Sequence, residues 1–171
     1  RGDVYLGMRA DTFSAGDFAF AQQHLRILSG LYGLLRPLDA IQPYRLEMGT
    51  QLANARGRNL YEFWGARIAA ALDAQARAAG DRELVTLASQ EYFRAVAPDR
   101  LSVPVITPVF KENRGGTLKI VSFSAKRARG MMAGFAIRQR LGRAEQLKAF
   151  AEDGYRFEPA LSSDREWLFV R

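Results

Sequence analysis

Between Ser122 and Arg143 the chain reads SFSAKRARGMMAGFAIRQRLGR, with Lys126, Arg127, Arg129, Arg138, Arg140 and Arg143 and not one acid. Cations at this density suit phosphate oxygens, and arginine can give one phosphate two parallel N–H donors. A second chemistry is open to carboxylates. Glu47, in PYRLE, and Glu91, in SQEYF, stand among arginine and tyrosine, and such acids serve as general acid or base where burial raises the pKa. A plainer reading of the same two has Glu91 starting a short helix, where its charge suits the dipole, and Glu47 pairing with a nearby arginine.

Supply excludes much else. With no cysteine and one histidine, His24, the chain has no disulfides, no thiol chemistry and no zinc or iron site of its own, so neither a metal nor a cofactor is expected. His24 itself reads as a structural or exposed residue. Gly30 and Gly33 do not make a phosphate loop, because neither GxGxxG nor a Walker lysine follows. No apolar run approaches the roughly 18 residues that cross a bilayer, and no basic leader precedes a short apolar segment. The expectation is a cytoplasmic protein with no membrane partner.

Charge is segregated along the chain. The net charge is +7. From Lys111 to Arg143 the cations are Lys111, Arg114, Lys119 and the six above, against Glu112 alone, a local net of +8. The remainder is close to neutral, so the excess sits in one segment, as on a surface that meets a polyanion. A solvated charged face is the plainer alternative.

The elements that must position these groups follow from pattern. At 171 residues and 48% hydrophobic content the chain suits one globular domain, 1–171. Ser14 with Asp17 resembles a capping box, and Phe18, Ala21, Leu25 and Leu28 predict a helix over 15–28. The glycine- and proline-broken run after it predicts a strand, an irregular connection and a second strand near Arg45–Met48. Asn59 with Glu62 repeats the cap, and the apolar stripe from Leu60 to Leu72 predicts a helix over 60–79. ELVTLAS reads as a short strand and QEYFRAVAP as a short helix stopped by Pro98. Asn113-Arg114-Gly115-Gly116 joins VPVITPVFKE and LKIVSFS in a hairpin, and GYRFEPALSSDREWLFV forms a second. The class is α+β (mixed α/β), a mixed β-sheet with packed helices.

On a helix over 125–142, Ala128, Met131, Met132 and Phe135 share the core face, while Lys126, Arg129 and Arg140 share another, with Ala133 and Ala136 between. Such a stripe spans roughly 20 Å and reaches successive phosphates. Arg127 and Arg138 lie on a third side. Gly130 and Gly134, one turn apart, permit tight packing on a neighbour. Ser122 and Ser124 leave a strand running Leu118–Phe123 as the helix begins, which places free amides where an anion could bind, with Lys126 and Arg127 in the first turn.

These residues carry a resemblance. FSAKRARGMM, FAQQHLRILSGLYGLLRPLDAIQPYRLEMG, NLYEFWG, LASQEYF and GYRF, in this order, look like the YaaA peroxide-stress protein family. The resemblance implies a cytosolic bacterial protein linked to survival of hydrogen peroxide and limitation of iron damage, which binds DNA through a positively charged cleft. It covers the family's C-terminal two thirds, so that an N-terminal third is absent here. The family's Lys-x-Ala-Arg-Gly pattern lands on Lys126, Ala128, Arg129 and Gly130, its Pro-Tyr-Arg-Leu-Glu stretch on Pro43 to Glu47, and its Ser-x-Glu-Tyr stretch on Ser89, Glu91 and Tyr92.

Two functions compete on this reading. One is DNA binding, double- or single-stranded, with phosphates held by Lys126, Arg129, Arg140, Arg45 and Arg127. The other is an enzyme acting on a nucleoside, nucleotide or other phosphorylated small molecule, with Glu91 or Glu47 beside the same arginines. Docking of an acidic partner protein has only charge in its favour.

Overall fold

The computed structural model of the chain describes residues 2–171. It opens on a short helix, α1 (Asp3–Met8), and a single 3-10 turn, followed by α2 (Ala15–His24). The hairpin β1 (Ile27–Ser29) and β2 (Gly33–Leu35) comes next, and after a long irregular stretch α3 (Leu60–Trp64) and α4 (Arg67–Ala79). Then β3 (Leu84–Val85), α5 (Gln90–Arg94), β4 (Val105–Arg114) and β5 (Thr117–Lys119) lead to α6 (Ser122–Arg138), with β6 (Arg156–Phe157) and β7 (Glu166–Val170) last. Helices with a mixed sheet give the expected α+β class, and the chain divides into two compact units.

One unit gathers the chain up to Phe20 with Leu84–Leu87 and Val105–Arg171. Its sheet runs β3-β4-β7-β6, with β5 beside β4. β4 is parallel to β3 and β7, while β5 and β6 run antiparallel to their partners. Alternation along β4 buries Ile106, Pro108 and Phe110, whose side chains share one face. There Phe110 meets Phe150, Tyr155 and Phe169 at ring-centroid distances of 5.2–6.0 Å, and Ala128, Met131 and Met132 of α6 join the same core. Both expected hairpins form. The first turns at Gly115 and Gly116, whose φ of 60° and 85° is the conformation that a two-residue hairpin loop demands.

α1 lies against α6 at backbone distance. A Cβ on Gly130 would run into the Val4 carbonyl, one on Gly7 into the Arg127 carbonyl, and one on Gly134 would come 2.6 Å from the Met8 oxygen. The tight packing expected of Gly130 and Gly134 is therefore realised, with Gly7 as the matching residue on α1. In its middle α6 is buried nearly all round, including Ala133, because α1 covers one side and the sheet core another.

The second unit comprises Ala21–Glu83 and Ala88–Pro104. Met48, Leu60, Ile68, Ala95 and Val96 form its core, with Trp64, Tyr92 and Phe93 packed against it. Two of its helices have side-chain caps: the Asn59 side chain accepts from the Glu62 amide at 3.0 Å, as the sequence indicates, and the Ser89 hydroxyl from the Tyr92 amide at 3.4 Å.

Several boundaries differ from expectation. The Ser14–Asp17 box forms, but α2 stops at His24, since Ile27–Ser29 pairs with Gly33–Leu35 instead of continuing the helix. The helix expected over 60–79 is two helices, broken at Gly65 with φ 52° and ψ −124°. No strand forms at Arg45–Met48. Pro43 withholds a donor there, Arg45 and Glu47 point to solvent, and Met48 anchors the stretch by full burial. β5 ends at Lys119, and α6 begins at Ser122 and ends at Arg138, so it is shifted toward the N-terminus relative to 125–142.

Candidate nucleic-acid interface

The shift of α6 reorders its charges. Lys126 and Arg127 stand in the second turn and not the first, beyond the free amides of the helix N-terminus. The two serines lie inside the first turn, and the anion at this end belongs to the protein. Glu112, on β4, is bonded by Ser124, Arg171 and Arg114, and these three hold its carboxyl at about 2, well below the usual carboxylate range. Arg171 spans the group, donating to Glu112 at 2.8 Å and to Ser124 at 3.0 Å and pairing with Asp153. Its guanidinium also lies over the Tyr155 ring at 4.9 Å.

At the other end, Arg140 is not on the helix. The Arg140 amide donates to the Ile137 carbonyl and the Leu141 amide to the Ala136 carbonyl, both at 3.0 Å, a Schellman closure with Arg140 at φ 50°. The three-residue stripe is thus corrected: Lys126 and Arg129 remain neighbours one turn apart, and Arg140 projects from the turn beyond, its guanidinium near Gly16 and its charge felt by Asp17. Arg129 is half-buried, its Nε donating to the Ala125 carbonyl at 3.3 Å, and burial lowers its pKa from an ordinary value so high that the guanidinium stays charged. Arg138 is occupied, 3.7 Å from Glu152 and 3.3 Å from the Met8 carbonyl oxygen.

What remains outward is Lys126, Arg127, Arg140 and Arg143. All four are exposed, and among the described residues none has a carboxylate within ion-pair distance. Sequence reasoning missed a companion. Phe123, assigned to a strand, lies on the first turn of α6 with 59% exposure, and with Asp3, Leu6 and Arg127 it lines an open cavity of about 210 Å³. Three- and four-residue spacing to Lys126 and Arg127 is the signal that could have found it.

The residues of the alternative reading belong to the second unit. Glu91 accepts the Gly49 amide through Oε1 at 2.9 Å, and its own carbonyl accepts the Tyr61 hydroxyl at 3.2 Å. Glu47 and Arg45 are 4.0 Å apart and face water, with 67% and 94% of their side chains exposed. The plainer reading of both acids thus matches the geometry. The PYRLE and SQEYF stretches nonetheless meet: burial first, then the charge of Glu91, with smaller contributions from Tyr44 and Glu47, push the Tyr92 phenol up. Tyr44 shares a hydrogen bond with Ser29, which is almost fully buried. Among the described residues no three of His, Asp and Glu gather to hold a metal, and no helix is long and apolar enough to cross a membrane.

Fold and site together define an α+β protein with a cation-bearing helix laid on a mixed sheet. The chain belongs to the family described as peroxide stress protein YaaA, which it matches over residues 1–161. Among curated relatives, a UPF0246 protein of Cellvibrio japonicus is 61% identical over 171 residues, covering 100% of this chain and 66% of its own length. One of Acaryochloris marina is 56% identical, with 100% and 67% covered, and one of Paraburkholderia xenovorans 58%, with 99% and 66%. The chain spans about two thirds of the length of the relatives it matches.

Proposed function

We propose that this chain binds DNA by its phosphate backbone, as its part in a cytoplasmic response to peroxide, with Lys126 and Arg127 as the principal contacts. Arg140 and Arg143 extend the charge past the helix, and Arg129 adds its own one turn on from Lys126. The supporting observation is the set of exposed cations on and after α6 with no carboxylate partner among the described residues. A protein that needs charge only for solubility gains by interspersing signs, and here they are segregated. Phe123, exposed beside Lys126 and Arg127, offers a ring on which an unpaired base can stack, so the reading covers single-stranded as well as duplex DNA. Arg45, exposed on the second unit, is a separate cation and not part of this helix.

Salt titration of labelled duplex and single-stranded DNA tests the reading. Each phosphate contact on a duplex contributes a slope of about −0.9 in log affinity against log salt, so Lys126→Ala with Arg127→Ala should flatten the slope by roughly 1.8, equally for unrelated sequences. Phe123→Ala should weaken single-stranded binding more than duplex binding. An unchanged slope in the double variant rejects this site. Absence of binding by the 171-residue chain and by a full-length relative rejects the function.

The meeting of PYRLE and SQEYF around Tyr92 favours a second reading, an enzyme acting on a nucleoside, nucleotide or other phosphorylated small molecule. That reading requires nucleoside phosphates to raise the melting temperature, and Tyr92→Phe to abolish the rise without changing the DNA salt slope. No rise with any such ligand removes it.

A further inference from the structure

The sheet of the first unit ends on one side in β3, a strand of two residues. Its brevity has a cause in its neighbour. The Thr86 amide donates to the Ile106 carbonyl at 2.9 Å, and the next rung of a parallel ladder would need an N–H from residue 108, which is Pro108. Because backbone groups alternate sides along a strand, Leu84 and Thr86 turn theirs toward β4 and Val85 and Leu87 turn theirs away, toward an edge that no strand occupies among the described residues.

Three observations make that edge unusual. Val85 and Leu87 pack on the main core yet stay half-buried, so the core is open where the sheet stops. The Thr86 hydroxyl, on the opposite face, is buried and has no hydrogen-bond partner among the described residues. The run Leu84-Val85-Thr86-Leu87 carries no charge, whereas the other edge of the sheet, β6, carries Arg156 and has the Lys148 ammonium 5.0 Å over its Phe157 ring, a guarded edge.

The relatives carry about a third of their length with no counterpart in these 171 residues. We infer that the open edge of β3 is a strand-addition site, and that its occupant is an extended segment from that further third. The occupant's chemistry is set by the pleat. Residues on the α6 side are apolar, to lie beside Val85 and Leu87, and one on the other face brings a hydrogen-bonding group to Thr86. Its backbone takes up the Val85 and Leu87 amides.

The test is amide hydrogen exchange by NMR on the full-length Cellvibrio japonicus relative, read at the positions aligned with Val85, Thr86 and Leu87, and on the 171-residue chain. In the full-length protein the outer pair should be as protected as the Thr86 position, with cross-strand contacts to residues outside the matched 171. In the shorter chain Val85 and Leu87 should exchange on the order of 100-fold faster than Thr86. Outer amides that exchange like exposed loop amides in the full-length protein overturn the inference. So does protection that rises with protein concentration alongside a dimer, since the occupant is then a second copy. If the shorter chain does not fold, the full-length reading still decides.

Discussion

The two compact units hold their backbones in different ways. In the first, strands, long helix and turns satisfy most backbone groups themselves, and an aromatic cluster centred on Phe110 supplies the core. In the second, residues 36–59 form no helix or strand apart from one isolated bridge, and side chains are spent on holding the chain. Glu91 holds the Gly49 amide, Asp73 the Ser102 amide through both oxygens at 3.0 and 3.1 Å, Ser29 the Tyr32 amide, and Glu62 the Arg58 amide. The lesson concerns function. A polar residue that completes irregular backbone is already engaged, and Glu91, which sequence alone offers as an acid or base, holds the Gly49 amide. A regular helix has no such need, and its outward cations have no backbone to complete.

The sharpest break of this comparison is Phe110→Ala. It removes the ring shared by Phe150, Tyr155 and Phe169 and should cost about 3–5 kcal/mol in chemical unfolding, enough to unfold the first unit at moderate temperature. Gly130→Val comes next. Its side chain meets the Val4 carbonyl, and a cost of about 1–3 kcal/mol or more is expected as α1 is pushed off α6. Loss of Met8 protection in hydrogen exchange would show it, and a fully stable variant would mean that α1 is not held there.

In the second unit the matching change is Asp73→Ala, which orphans the Ser102 amide and should cost about 1–3 kcal/mol without altering the DNA salt slope. A smaller effect separates the units by pH. Glu112 ionises at about 2 when folded and near the ordinary carboxylate value when unfolded, so the stability it adds is complete above about 4.5 and is lost as pH falls toward 2. Glu112→Gln should flatten that acid limb of the stability curve. The smallest effect is Arg45→Ala, within about 0.5 kcal/mol, because an exposed pair 4.0 Å apart holds little.

Legibility in the sequence followed the same divide. The Gly115-Gly116 hairpin, the Ser14 and Asn59 starts and the core face of α6 could be read because each depends on a few adjacent residues. The break at Gly65 could not, since a lone glycine in a helical pattern is ordinarily tolerated. Arg140 was misplaced because a helical wheel assumes that the helix continues, and the closure that ends it uses a left-handed residue other than glycine. α1 was invisible: six residues have too little pattern to signal a helix, and what stabilises them is α6. Around α6, the engagement of Ser124 by Glu112 and Arg171 needed partners distant in sequence.

The contact of Gly7, Gly130 and Gly134 with backbone oxygens across the two helices also sets an order of events during synthesis. α1 leaves the ribosome more than a hundred residues before α6, a wait on the order of ten seconds at about 5–20 residues per second. A helix of six residues does not persist alone in water over that time, so the emerging Val4, Tyr5 and Leu6 travel as an unfolded apolar segment until α6 is made. Within the first unit α1 therefore docks only once α6 is made, and until then its apolar residues are open to a chaperone.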